Sequence, residues 1–83
     1  MEDIAERVRR IAAGKLDVEE SKIADKARFI EDLHATSLDI VEFIMVLEDE
    51  FRIEISDTDA EGILTVGDVV RLVTNKVRVT VGA

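Results

Sequence analysis

The 83-residue chain has no cysteine, no proline, no tryptophan and no tyrosine, and only three phenylalanines. Without cysteine there are no disulfides, no thiolate metal sites and no cysteine nucleophile, and nothing points to an oxidising compartment. Bases are scarce: 11 Lys and Arg stand against 19 Asp and Glu, a formal charge of -8. That balance argues against nucleic acid and anionic membrane surfaces as partners, since both need a basic face, and points to partners with basic patches. Long apolar runs are also missing. The stretch around Ile44-Met45-Val46-Leu47 falls far short of the ~20 residues that span a bilayer. Met1-Glu2-Asp3-Ile4-Ala5-Glu6 is acidic where a secretory signal needs positive charge. A soluble, cytoplasmic chain with no membrane span is expected. The length suits one small domain over residues 1–83, burying about 60–65% of its unfolded surface. With 47% hydrophobic residues a core can form, which argues against wholesale disorder.

What is present reads as helices. Ile4, Val8, Ile11 and Ala12 recur at helical spacing, with Glu6, Arg7, Arg9 and Arg10 on the other side. Glu2, Asp3 and Glu6 open this helix, Arg9, Arg10 and Lys15 close it, and Gly14 is the expected stop. From Asp17 to Thr36 the periodicity breaks up, with neither proline nor glycine. A loop of that length is either functional or holds short helical turns, and its scattered Val18, Ile23, Phe29, Ile30 and Leu33 predict packing across the core. A second helix runs from Ser37 to about Phe51, with Thr36 as N-cap and Asp39 completing a capping-box-like pattern. Ile53-Glu54-Ile55 is too short to read as a strand. Ser56 caps a short helix over 57–62, and a fourth helix spans about Val66 to Lys76 with Val66, Val69, Val70 and Val73 inward. The β-branched tail from Val77 to Val81 is expected to fray. The fold class is all-α: a four-helix bundle of three main helices and one short one, with a long loop between the first two.

The negative charge is concentrated. Residues 31–63 hold eleven acids and a single base, Arg52, whereas the remainder holds eight acids and ten bases. On the second helix Ile40, Ile44, Leu47 and Phe51 share one sector, an ample core stripe. Leu38, Val41 and Met45 form a second stripe roughly 120° away on the wheel, bordered by Glu42, Glu48 and Asp49. A helix buried on two sides needs two such stripes. An exposed apolar strip rimmed by acids instead suits a basic, partly apolar partner groove, and so small a chain has few elements to cover both.

The segment Asp32-Leu33-His34-Ala35-Thr36-Ser37-Leu38-Asp39 resembles the attachment motif of acyl carrier proteins, which usually reads Asp-Leu-Gly-Ala-Asp-Ser-Leu-Asp. The likeness extends from Glu6-Arg7-Val8 through the helix Ile40–Phe51 to Ile53-Glu54-Ile55-Ser56-Asp57 and Thr65-Val66-Gly67-Asp68-Val69, nearly the whole chain in order. The resemblance implies that Ser37 carries 4′-phosphopantetheine, whose thiol holds acyl intermediates as thioesters for fatty-acid, lipid or polyketide biosynthesis. A phosphodiester at the first turn of a helix would be favoured by the dipole, and the family's phosphopantetheinyl transferase supplies the chemistry in trans. The resemblance further implies a non-catalytic, monomeric carrier. Asp39, Glu42, Glu48 and Asp49 would meet basic docking patches on acyl-transferring, condensing or ligase enzymes, with Leu38, Val41 and Met45 as apolar contacts. Phe29, Ile30, Leu47, Ile55, Ala60, Ile63 and Val69 would line an acyl pocket. His34 replaces the usual glycine and Thr36 the usual aspartate. Threonine still caps, but the lost carboxylate is one the family presents to the transferase, which implies slower modification or a dedicated enzyme, and a specialised member over a housekeeping one.

Other readings compete less well. An aminoacyl or peptidyl carrier usually has a different motif around its serine and a less acidic second helix. An unmodified acidic interaction module is a further alternative. Asp57 to Asp68 mimics a calcium loop, with acids at positions 1, 3, 5 and 12, but position 12 is Asp and no second loop pairs with it, so no metal site is expected. Asp32, His34 and Ser37 could spell a hydrolase triad, but 83 residues leave little scaffold for an oxyanion hole and cleft.

Overall fold

In the computed structural model residues 3–82 are described, with side chains for residues 3–77. Four α-helices follow in order: α1 (Ile4–Leu16), α2 (Ser37–Phe51), α3 (Asp57–Glu61) and α4 (Val66–Gly82), with a 3-10 turn at Glu20–Lys22. The three longer helices pack against one another around Val8, Ala12, Phe43, Leu47, Val66, Val69 and Val73, all buried. Among the described residues no helix is long and apolar enough to cross a membrane.

Helix α1 starts at Asp3, whose carboxylate accepts the Glu6 N–H at 2.8 Å. Glu2, expected to share that role, lies outside the described residues. The helix does not stop at Gly14 but continues to Leu16, and Asp17 takes the left-handed conformation (φ 56°). The Val18 N–H then closes back on the Ala13 carbonyl at 3.2 Å. Gly14 is exposed, and its helical cost of about 1 kcal/mol is offset by carrying Leu16 and Val18 onto the core. Helix α2 ends by the same device: Arg52 is left-handed (φ 55°) and the Ile53 N–H returns to the Glu48 carbonyl at 3.1 Å.

On α2 the buried line runs through Phe43 and Leu47, with Ile40, Ile44 and Phe51 only half-buried. The expected stripe is therefore turned toward Phe43, whose ring meets Phe29 at 5.5 Å between centroids. Helix α4 does not fray at Val77 but stays helical to Gly82. A β-branched residue costs only tenths of a kcal/mol there, and extending a formed helix adds a bond per residue.

The long loop packs across the core as its apolar residues require, burying Ile23, Phe29, Leu33 and Ala35, while Ile30 stays exposed. It is stitched to the α3–α4 connection: the Phe29 N–H donates to the Leu64 carbonyl (3.1 Å), Val66 to Ala27 (3.0 Å) and Gly67 to Asp25 (2.8 Å). A Cβ at Gly67 would sit 3.1 Å from the Asp25 carbonyl oxygen, so glycine permits this approach. Ion pairs brace the outside. Arg7 reaches Glu50 at 3.0 Å while lying 4.4 Å over the Phe51 ring, and Lys76 ties α4 to Asp59 at 2.9 Å.

Candidate functional site

The segment leading into α2 is pinned from below. Leu33 and Ala35 are buried on either side of exposed His34, and the Ala35 N–H donates to the Phe29 carbonyl at 2.8 Å. Reversing the chain between two anchors puts His34 in the left-handed region (φ 59°), where glycine is the unstrained choice and histidine is among the better-tolerated others. Thr36 follows as N-cap. Its Oγ1 accepts the Asp39 N–H at 3.1 Å, and the Asp39 carboxylate accepts the Thr36 N–H at 3.0 Å. Ser37 is then the first helical residue, and it is exposed. Capping is complete without it, which leaves its hydroxyl at a helix N-terminus where a phosphodiester would be favoured. The residues present therefore fit a phosphopantetheine arm. Asp32, named with His34 and Ser37 as a conceivable triad, instead accepts the Arg28 N–H at 2.9 Å.

The second stripe of α2 is exposed: Leu38 at 65%, Val41 at 52% and Met45 at 62%. The acids beside it differ in what they do. Asp39 is part of the cap, and Glu42 faces Lys15 of α1 at 3.7 Å. Glu48 is half-buried and accepts the Ile55 N–H at 2.9 Å, while Asp49 is exposed. Nothing in the sequence pattern announces the bond of Glu48, because its partner lies seven residues on, past the end of the helix.

The seven residues expected to line one pocket are not brought together. Phe29, Ile30 and Ile63 line a cavity of about 410 Å3 between the long loop, α2 and the α3–α4 connection. Ile40, three residues along α2 from Ser37, completes its apolar wall with Leu64, and Arg28, Glu31, Thr65 and Asp68 are also in its lining. Sequence reasoning missed Ile40 and Leu64 as lining residues, because the pairing of the long loop with the α3–α4 connection that brings Leu64 there leaves no local pattern. Ile55 and Ala60 belong to a second depression of about 210 Å3, shared with Val41, Ile44, Met45, Glu48 and Asp57. Leu47 and Val69 are fully buried in the core and line neither hollow.

The calcium-like segment is used for capping. Ser56 and Asp59 form a box at α3, with N–H to oxygen distances of 3.1 and 3.2 Å. Hydrogen bonding to Lys76, and then to Ser56, holds the Asp59 carboxyl below its ordinary range. The Asp68 carboxylate accepts the N–H groups of Leu64 and Thr65, each at 3.0 Å, and these bonds lower its pKa likewise. Among the described residues no three His, Asp or Glu side chains are grouped to hold a metal ion.

Comparison with known proteins identifies the family. Residues 6–73 match the family model described as a phosphopantetheine attachment site. Acyl carrier proteins of two Caulobacter vibrioides strains are each 54% identical over 76 residues, covering 92% of this chain and 97% of theirs. A solved acyl carrier protein from Enterococcus faecalis, studied for its high thermal stability, superposes with a TM-score of 0.75 at 38% identity, covering 88% of this chain and 92% of that one. The family model over residues 6–73, the relatives at 54% identity over nearly their whole length and the matching bundle together show that the chain belongs to the acyl carrier protein family.

Proposed function

We propose that Ser37 is the attachment point of the 4′-phosphopantetheine arm, and that α2 presents the arm to successive biosynthetic enzymes. The observation that carries this is the exposed serine at the first position of α2, whose cap is already made by Thr36 and Asp39. When bound, the arm supplies the thiol on which acyl groups are held as thioesters. The chain itself contributes a fixed helix N-terminus for the phosphodiester, and a 410 Å3 apolar cavity one turn from Ser37 that suits an acyl tail. The carrier works as a cytoplasmic monomer in fatty-acid, lipid or polyketide synthesis. Leu38, Val41 and Met45 give partners an apolar strip, and Asp39, Glu42, Glu48 and Asp49 give it a negative border that steers basic patches. His34 and Thr36 depart from the family motif at the residues nearest Ser37, which supports a specialised carrier served by its own transferase.

The test is the intact mass after incubation with coenzyme A and a broad-specificity phosphopantetheinyl transferase. One phosphopantetheine increment is expected in the native chain and none in Ser37→Ala, with helical content unchanged. An increment that survives Ser37→Ala would overturn the site. Protein from its own host that lacks the arm would favour an unmodified interaction module.

A further inference from the structure

Two routes lead away from Ser37 for an apolar tail: inward among the helices, or along the outside against the long loop. The inward route is shut. Leu47 of α2 and Val69 of α4 are fully buried and line neither hollow. Interiors are close-packed, and a helical valine keeps to one preferred χ1 rotamer, so Val69 has little freedom to swing aside. The outer route is already formed. Phe29, Ile30, Ile40, Ile63 and Leu64 are the apolar walls of the 410 Å3 cavity. Phe29 divides that cavity from the core, because its ring also meets the buried Phe43 ring at 5.5 Å between centroids. The walls are held together by the Phe29 N–H on the Leu64 carbonyl at 3.1 Å and the Val66 N–H on the Ala27 carbonyl at 3.0 Å. Charges in the lining are met within the chain: Arg28 pairs with Glu31, and Asp68 accepts the Leu64 and Thr65 N–H groups and pairs with Arg71. What the cavity still offers is hydrocarbon, and its lips Ile30 and Leu64 are 61% and 70% exposed.

We propose that the tail of an acyl cargo lies in this loop-side cavity, over Phe29 and between Ile40 and Leu64, and that the core at Leu47 and Val69 stays closed when the chain is loaded. This rests on Ser37 carrying the arm. A methylene fills about the volume of a water, about 30 Å3, so the cavity takes on the order of ten carbons. A longer tail runs out over Ile30 and Leu64, whose apolar surface is otherwise bare. Covering that surface is favourable in proportion to the area removed from water. Ile40 and Leu64 are therefore the residues that select a reduced hydrocarbon tail, and neither belongs to the buried core. Polar replacements at these two positions take away the cavity walls while leaving the packing of Leu47 and Val69 in place.

The experiment compares methyl NMR spectra of the full chain loaded from coenzyme A with those of the chain loaded from octanoyl-coenzyme A, each by a broad-specificity phosphopantetheinyl transferase. Intact mass confirms each increment first. The octanoyl tail should shift the methyl signals of Ile30, Ile40 and Leu64 and leave those of Leu47 and Val69 where they are. It should also raise the melting temperature above that of the chain with the bare arm. Leu64→Gln, at an exposed position, should lose most of that rise and most of the shift at Ile40. Ile40→Asn should do the same, and Leu64→Gln carries the test if it folds poorly. Octanoyl-induced shifts at Leu47 and Val69 would overturn the assignment and put the tail in the core. Shifts at none of the five would overturn it in favour of a tail left in solvent. Either result leaves Ser37 as the attachment point. A native chain that gains no mass from either donor would instead overturn the Ser37 reading and this assignment with it.

Discussion

Three helices of this protein begin with the same four-residue device, and only one of them begins the site. Thr36 with Asp39, Ser56 with Asp59 and Thr65 with Asp68 each exchange two side-chain-to-backbone hydrogen bonds at a helix start. At α3 and α4 the aspartate is also paired with a base, Asp59 with Lys76 and Asp68 with Arg71. At α2 it is not: among the described residues Asp39 makes no ion pair, and the acids that follow it on the helix have one basic neighbour each at most. Local stability is handled identically three times. The charge is closed within the fold at the two structural starts and left open at the third, where Ser37 stands exposed and the apolar stripe is uncovered. The unpaired cap aspartate is thus at the start of the helix proposed to meet partners.

The comparison breaks most visibly at the surface charge. Reversing Glu42 and Asp49 to lysine together should weaken transferase docking by about tenfold or more at low salt, with the loss shrinking as salt rises. The same double reversal placed at Glu54 and Glu61, away from α2, should change docking little. Equal losses from both pairs would mean that net charge alone steers partners. The caps sharpen the contrast. Thr36→Ala and Ser56→Ala should each cost about 1 kcal/mol in urea unfolding, because each removes one side of an equivalent box. Only Thr36→Ala should also slow phosphopantetheine loading, since it frays the turn that presents Ser37. A smaller effect is expected from Asp68→Asn, and it depends on pH. The Asp68 carboxyl is held below its ordinary value in the folded chain by the Leu64 and Thr65 N–H groups. It therefore contributes stability above the unfolded aspartate value of about 3.9, and that contribution fades as pH falls through the folded value. The native chain and the Asp68→Asn variant should differ in midpoint at neutral pH and converge in acid; a gap that persists in acid would assign the effect to shape instead of charge.

The starts of α2 and α3 were legible because the signal is local, Thr36 with Asp39 and Ser56 as cap, whereas the like pair of Thr65 and Asp68 at α4 went unread. The exposed stripe of Leu38, Val41 and Met45 was legible for a similar reason, since helical spacing fixes which residues share a side. Helix ends were not. Gly14 offers a stop that α1 passes by, and the left-handed residues that end α1 and α2 are Asp17 and Arg52, chosen by where Val18 and Ile53 must go to reach the core. Phe43 entered the core unannounced because its partner, Phe29, comes from a loop with no periodicity. The apolar cavity was only partly foreseen for the same cause. Its walls are joined by bonds such as Phe29 to Leu64, between segments 35 positions apart, and nothing within either segment encodes that pairing.

His34 gives the smallest and most discriminating test of how the open helix start is held. Leu33 and Ala35 are both buried, so the residue between them must turn the chain within one step, and it does so at φ 59°. For a residue with a Cβ that conformation costs about 1 kcal/mol or more. Glycine would remove the strain but would lose more backbone entropy on folding, by roughly 0.5–1 kcal/mol. The two terms nearly cancel, so His34→Gly should shift stability by no more than about 0.5 kcal/mol in either direction. His34→Val keeps the Cβ and adds branching, and should destabilise by about 1 kcal/mol beyond that. If glycine instead destabilises the chain by more than about 1 kcal/mol, the imidazole is holding the turn through its own contacts. If it leaves stability alone but alters the loading rate of Ser37, the transferase reads the side chain at this position directly.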